Sequence, residues 1–381
     1  KFRRNGKRRF TTLAGSGPII HLKMLIKLSN YKFPLQKGNR YIRIMTDTLV
    51  LLHVIFRHGD RTPERNAIYP TDPHKDYDYS LFGYGQLTNE GKKRAYRFGQ
   101  SLRRQYGHFL NDIYKTEELD AWTSDFDRTK MTLQLVLAAL YPPTREQVWF
   151  DGIPWQPIPY NCIPRNDDKM FLRFFYDKVA VDEYNKRFDE MYTNGLNHYS
   201  DVVEYVEKHS GMKIENPRVM FSLACTLAAE EKIGLKLPEW TQEVWPHKIE
   251  EYALQEFHVS SSTKRLQSLT IGRLLQKIVE DSVSKTKNAS SARLHLYSGH
   301  DFTVGMILKA LNVFDWRHPD FCANVTIELH NIDGVYGFKV KYQISENEEA
   351  KLLEFPNIGS FWPLDEFMEE YRDILGDDPY N

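Results

Sequence analysis

The chain has 381 residues, 41% apolar and 13% aromatic, with 51 basic and 51 acidic side chains that give zero net charge. That apolar content excludes a disordered chain and supports one large core or two smaller ones. No run of about 18 consecutive apolar residues occurs, so no integral membrane segment is expected.

The charge is unevenly placed. Residues 1–46 hold twelve Lys or Arg and no acid, and taking these from the 51 leaves 39 basic groups against 51 acids. The body is therefore acidic behind a basic N-terminal extension, residues 1–47. Such a charge block reads as a disordered or leader segment before it reads as a nucleic-acid arm, and no nucleic-acid partner is expected. LAGSGPIIHLKMLIKL is a poor secretory signal because His21, Lys23 and Lys27 interrupt it.

In chain order, DTLVLLHVIF (47–56) reads as a strand buried on both faces, of the kind found in a mostly parallel sheet. Residues 83–107 read as an amphipathic helix capped by Thr88. LDAWTSDFDRTKMTLQLVLAALYPP (119–143) reads as strand, polar turn and helix, ended by Pro142 and Pro143. Residues 151–255 begin Pro-rich, lack strand alternation and read as a helical cap insertion. A long helix follows at 261–283, then a second strand–turn–helix at 292–311. Two alternating runs joined at Asp333-Gly334 predict a hairpin. The fold class is α/β, with catalytic parts at 48–150 and 256–381 around the cap. Alternating strands and helices imply right-handed crossovers.

Three strand ends carry polar clusters: RHGDR (57–61), SDFDRT (124–129) and SGHD (298–301). In an open α/β sheet, ligands bind beyond the carboxyl ends of the strands. Arg57, Arg61 and Arg128 are planar cations that match phosphate oxygens in pairs. Three buried guanidiniums repel each other unless an anion sits among them. Nearby positive charge keeps His58 neutral and nucleophilic into acid. His300 can steady the same phosphate. Asp301 can protonate a leaving alcohol. The bland readings are a surface ion pair for RHGD and helix capping for Asp125, Asp127 and Arg128. His53 and His295 lie within strands and read as packed core. Neither a GxxxxGK[ST] loop nor HExxH occurs, so no metal or cofactor is expected. The three cysteines fit no zinc spacing.

RHGDRTP (57–63) resembles the signature of the histidine acid phosphatases, the group that includes prostatic, lysosomal and insect venom acid phosphatases. The likeness continues through GQLTNEGKKRAYRFGQSLRRQY (85–106), SDFDRTKMTLQLVLAALYPP (124–143), WQPIP (155–159), LPEW (237–240) and YSGHDFTV (297–304). It covers roughly residues 48–372 and looks nearest to the insect venom members. The resemblance implies a phosphoglycerate mutase-like mixed sheet with flanking helices and a smaller helical domain. It implies hydrolysis of small phosphate monoesters through a phosphohistidine on His58. Arg57, Arg61, Arg128 and His300 would bind the phosphate, Asp301 would donate the proton, and no metal would be needed. It also implies secretion or a lysosomal location, glycans at the sequons Asn288 and Asn324, and a homodimer. A disulfide between Cys225 and Cys322 follows from the same resemblance, leaving Cys162 without a partner. An acidic optimum would need Asp301 protonated while His58 is not. The alternatives are a phytase-like inositol phosphatase, a venom or allergen-type binding protein with incidental activity, and a phosphohistidine mutase. For the phytase reading, Arg165, Lys169 and Arg173 are the candidate extra cations.

Overall fold

The computed structural model describes residues 48–193 and 196–375. The basic extension 1–47, with the leader reading attached to it, lies outside the described residues. Strand β1 (Leu49–Arg57) is buried over its last seven positions. Leu51 and Ile55 point into one hydrophobic layer, and Leu52, Val54 and Phe56 into the other. This is the period of two expected of a strand with both faces covered. Each fully buried Leu or Phe contributes about 1.5–3 kcal/mol.

The other strands are β2 (Leu119–Thr123), β3 (Asn161–Cys162), β4 (Leu294–Gly299), β5 (Asn324–Ile332), β6 (Val335–Gln343), β7 (Lys351–Leu352) and β8 (Trp362–Pro363). The sheet order is β3-β2-β4-β1-β5-β6-β7, with β8 also on β6. The β1, β2, β3 and β4 pairings are parallel, whereas β5, β6, β7 and β8 add antiparallel neighbours. The sheet is thus mixed. The two long strands β5 and β6 form the hairpin, with Ile332 opposite Val335. Asp333 (φ 53°) and Gly334 (φ 90°) both take the left-handed conformation that a two-residue turn of this hand requires.

The helices, in chain order, are α1 (Asn89–Tyr106), α2 (Asp127–Leu140), α3 (Arg173–Tyr176), α4 (Lys178–Thr193), α5 (Ser200–Ser210), α6 (Pro217–Lys232), α7 (His247–Ala253), α8 (Gln255–Ser261), α9 (Lys264–Gln267), α10 (Arg273–Thr286), α11 (Asp301–Ala310), α12 (Leu364–Glu370) and α13 (Arg372–Leu375). Thr88 caps α1 by accepting from the Gly91 amide at 3.1 Å. Helices α1 and α2 pack on one face of the sheet, with Phe98 against Phe56. Helices α8, α10 and α11 cover the other face. The helix expected at 261–283 begins at Lys264, and a π turn at Ser268–Gly272 joins α9 to α10.

Between residues 151 and 255 helices predominate, and Val206, Met220, Leu223 and Ile249 belong to a separate hydrophobic cluster. The expectation that this stretch has no strand is corrected by β3, which extends the parallel pairing by two residues. Flanking prolines at 157, 159 and 164 lack the amide hydrogens that would lengthen it.

The sequon at Asn324 also needs correction as a glycan acceptor. Its side chain is buried in β5, between β1 and β6, and donates to Gln343 Oε1 at 3.1 Å. A glycan there would have to displace a strand. Asn288, at the end of α10, is exposed.

Candidate active site

The polar clusters meet because β1, β2 and β4 run parallel, which puts their carboxyl ends on one edge. Backbone bonds fix them there. The His58 amide donates to Gly299 O at 3.1 Å, and the Ser124 amide to Ser298 O at 3.1 Å. Helices α2 and α11 both begin at this edge, and the positive ends of their dipoles favour an anion beside them. A cavity of about 370 Å³ opens here, with His58, Arg61, Arg128, His300 and Asp301 in its lining.

His58 is buried, and its Nδ1 lies 2.8 Å from the carbonyl of Gly59. A carbonyl only accepts, so Nδ1 carries the hydrogen and Nε2 keeps its lone pair. Burial first, then Arg128 and Arg57, hold the imidazole's pKa well below its ordinary value. The expectation that His58 stays neutral in acid therefore has a physical cause. The rings of His58 and His300 meet edge to face with centroids 5.7 Å apart. His300 Nε2 lies 2.9 Å from Ser124 Oγ, and burial followed by Arg128 lowers its pKa to about 3.

The three arginines are held differently. Arg57 does not line the cavity. Its Nη2 pairs with Asp301 Oδ2 at 2.8 Å, its Nη1 donates to Pro319 O at 2.6 Å, and its guanidinium lies over Phe321. Arg128 Nη2 pairs with Glu64 Oε1 at 2.8 Å. Arg61 Nη1 donates to Thr62 O at 3.0 Å. Two of the three guanidiniums are thus already balanced by the protein's own carboxylates, which corrects the picture of three mutually repelling cations. The Nε of each has no hydrogen-bond partner among the described residues. Buried donors of this kind are costly unless something accepts from them.

Asp301 differs from expectation. Burial works towards protonating it, but Arg57 and then His318 outweigh that and hold the carboxyl ionised, well below its ordinary value. Arg57 and His318 thus favour the carboxylate form of Asp301 over the protonated donor that the sequence reading needs.

Several neighbours of the site had no catalytic or binding role assigned from the sequence. Asp60 accepts from Arg94 through both oxygens, at 2.7 and 3.2 Å, and so fastens the His58 loop to α1. The Gly59 amide donates to Thr132 Oγ1 at 3.1 Å. Glu64 follows RHGDRTP directly, which is the one hint of its role. His318 sits in a loop without any motif. Asp125 faces Lys130 and Arg165, and Asp127 accepts from Gln86; neither caps α2, whose N-cap is Phe126, and neither lines the cavity. His53 and His295 are buried within β1 and β4 and stack at 4.8 Å.

The Cys225–Cys322 bridge is not formed, and all three cysteines are free thiols. Cys225 is on α6, lines the cavity and donates to Asp301 Oδ2 at 3.7 Å. Cys322 packs in the α1–α2 layer, and its amide donates to His58 O at 3.1 Å. The two side chains serve different layers, so no bridge joins them.

A mixed α/β sheet with an anion pocket of histidine and arginine at its parallel edge defines a class of phosphate-handling proteins. The family description "Histidine phosphatase superfamily (branch 2)" matches residues 48–348, and the chain belongs to that family. It is 35% identical to the venom acid phosphatase Acph-1 of Apis mellifera over 331 residues, covering 85% of this chain and 84% of that protein. It is 30% identical to prostatic acid phosphatase of Bos taurus over 334 residues, covering 85% of each. Among solved structures, a phytase of Klebsiella sp. ASR1 superposes with a TM-score of 0.64 at 13% identity, covering 86% of this chain and 96% of that one. That likeness speaks for the fold alone. The chain is an enzyme, a phosphoric monoester hydrolase, and its substrates are small phosphate esters. Among the described residues no helix is long and apolar enough to cross a membrane.

Proposed function

We propose that this chain is an acid phosphatase that works through a phosphohistidine on His58. The observation that carries this reading is the free Nε2 of His58 beside three guanidiniums, each with an unpaired buried Nε. The phosphate accepts from Arg57, Arg61 and Arg128, and His300 steadies it. Nε2 of His58 attacks phosphorus, the N–P bond forms, and the P–O bond to the alcohol breaks. Asp301 passes a proton to the departing oxygen. Water then attacks phosphorus, Asp301 takes its proton, and His58 is released.

Because Arg57 keeps Asp301 ionised at rest, the proton arrives with the substrate. A phosphate monoester is a monoanion below its second pKa of about 6. The phosphate also draws on Arg57, which weakens that residue's hold on Asp301. Acid activity then follows from the protonation of the substrate together with a His58 that stays neutral.

The cavity wall supports a single phosphate on an apolar group rather than an inositol polyphosphate. Phe126, Phe175, Tyr176 and Phe221 line it together with the acids Glu64 and Glu256. Arg165 is spent on the Asp125 carbonyl and Arg173 on Asp177, and neither lines the cavity; nor does Lys169. Residues 151–255 act as a cap in this proposal, since Arg218, Phe221 and Cys225 of α6 form part of the wall. Secretion or a lysosomal location is proposed from the venom, prostatic and lysosomal relatives. A homodimer is proposed from the family resemblance, and light scattering of the purified chain tests it.

The deciding experiment is p-nitrophenyl phosphate hydrolysis from pH 3 to pH 9, with EDTA present, on wild type and His58→Ala. Acid activity that vanishes in the variant is expected, along with an acid-labile phosphohistidine in quenched wild type. Equal activity in the two proteins would overturn the reading. Turnover of phytate above that of aryl phosphate would favour the phytase alternative.

A further inference from the structure

Cys225, His318 and Asp301 form a cluster that the proposed reaction uses only through its carboxylate. Their ligand atoms all lie within 4.8 Å of one another. His318 Nε2 is 3.3 Å from Asp301 Oδ2, and Cys225 Sγ is 3.7 Å from the same oxygen. Zinc bonds of about 2.3 Å to sulfur and about 2.0 Å to nitrogen or oxygen, at tetrahedral angles, put N and O about 3.3 Å apart and S and O about 3.5 Å apart. The two distances to Asp301 Oδ2 are therefore already close to those of a tetrahedral zinc set. All three groups are nearly buried, with Cys225 8% exposed and the side chains of His318 and Asp301 10% and 11%. Thiol, imidazole and carboxylate together match the ligand preferences of zinc-class ions and not those of magnesium or calcium.

We propose that Cys225, His318 and Asp301 bind a zinc-class divalent ion, with the fourth coordination position facing the cavity, and that this ion inhibits the enzyme. Binding forms metal bonds to Sγ, Nε2 and Oδ2, and the thiol proton leaves to solvent. Arg57 Nη2 touches the same Oδ2 at 2.8 Å. A carboxylate oxygen has two lone pairs, so the guanidinium can keep one while the ion takes the other. The ion then removes Asp301 from proton transfer. Because the thiol must ionise, affinity falls as pH falls, by about tenfold per unit. An enzyme of this design runs freely in acid and is held back by zinc near neutrality. A second cluster, His53, Asp281 and His295, does not line the cavity, so an ion there would not reach the reacting groups.

The inhibition rests on the phosphatase reading, but metal binding does not, so the two fail separately. The test uses the full chain carrying Cys162→Ser, which removes the exposed thiol. Cobalt(II) is titrated at pH 7 without phosphate or chelator. One equivalent is expected to bind with a thiolate-to-cobalt charge-transfer band, and zinc should bleach it. Adding Cys225→Ser should abolish the band, and adding His318→Ala should weaken binding at least tenfold. Independently, zinc should protect Cys225 from iodoacetamide in the Cys162→Ser protein, a readout that needs no second variant to fold. Lack of a charge-transfer band, its persistence after Cys225→Ser, or the absence of zinc protection would each overturn the proposal. If the band appears as expected while zinc leaves phosphate release unchanged at pH 7, the inhibitory role is overturned and only the site stands.

Discussion

Arg57 and Asp301 form a 2.8 Å ion pair at the edge of the phosphate pocket, at the ends of β1 and β4. In the proposed mechanism the pair links the phosphate clamp to the proton donor, so that a phosphate competing for the guanidinium would couple charge on the substrate to the state of Asp301.

Asp301→Asn keeps the shape of the site and removes the transferable proton. Turnover of an alkyl phosphate is expected to fall by about 10²–10⁴. Turnover of p-nitrophenyl phosphate should fall less, because its leaving group needs little protonation. Steady-state kinetics on both substrates check this, and equal losses would count against a proton-donor role.

In the proposed mechanism Glu64 competes with the substrate phosphate for Arg128. Its side chain is one-third exposed, so the ion pair with Arg128 is weak, within the range of about 0.2–1 kcal/mol. Glu64→Gln should therefore tighten inhibition by inorganic phosphate up to about fivefold. Inhibition constants for wild type and variant provide the measurement.

Gly59 and Gly91 let the His58 loop lie directly on α1. A Cβ at Gly91 would come 2.1 Å from Asp60 O, and one at Gly59 2.4 Å from Gly91 O. Both obstacles are backbone, which cannot swing aside. Gly91→Ala should cost about 1–3 kcal/mol of stability and lower activity by shifting His58. Thermal melts with parallel assays decide it.

Two buried carboxyls set opposite pH limits on stability. Burial disfavours an ionised Glu328, but His330, Lys341 and Tyr106 bond to it and bring its pKa from the ordinary 4.5 to about 2. In that window the unfolded chain binds a proton that the folded one does not. About 3 kcal/mol of stability is therefore present above pH 4.5 and lost as pH falls towards 2. Glu230 runs the other way, since burial and then Asp72 push it well above the carboxylate range. There the folded protein keeps a proton that the unfolded one loses, so stability declines as pH rises through neutrality. Glu328→Gln should flatten the acid limb of denaturant midpoint against pH, and Glu230→Gln the neutral limb.

The sequence by itself determined the local grammar of this protein. The apolar run of β1, the Thr88 cap, the Asp333-Gly334 turn and the polar groups that follow β1, β2 and β4 were all legible, because each depends on neighbours in the chain. From these, His58, Arg61, Arg128, His300 and Asp301 could be named before any coordinates, and they share one cavity. Only the tertiary structure inserted β4 between β2 and β1, which brings His58 against His300 across 242 positions of sequence. It also turned Arg57 onto Asp301, placed Glu64 against Arg128, drew His318 in from a loop, kept Cys225 and Cys322 in separate layers and buried Asn324 in a strand. Such choices follow from how layers pack and where buried charges find partners. Those are contacts between distant segments, and periodicity and turn chemistry carry no record of them.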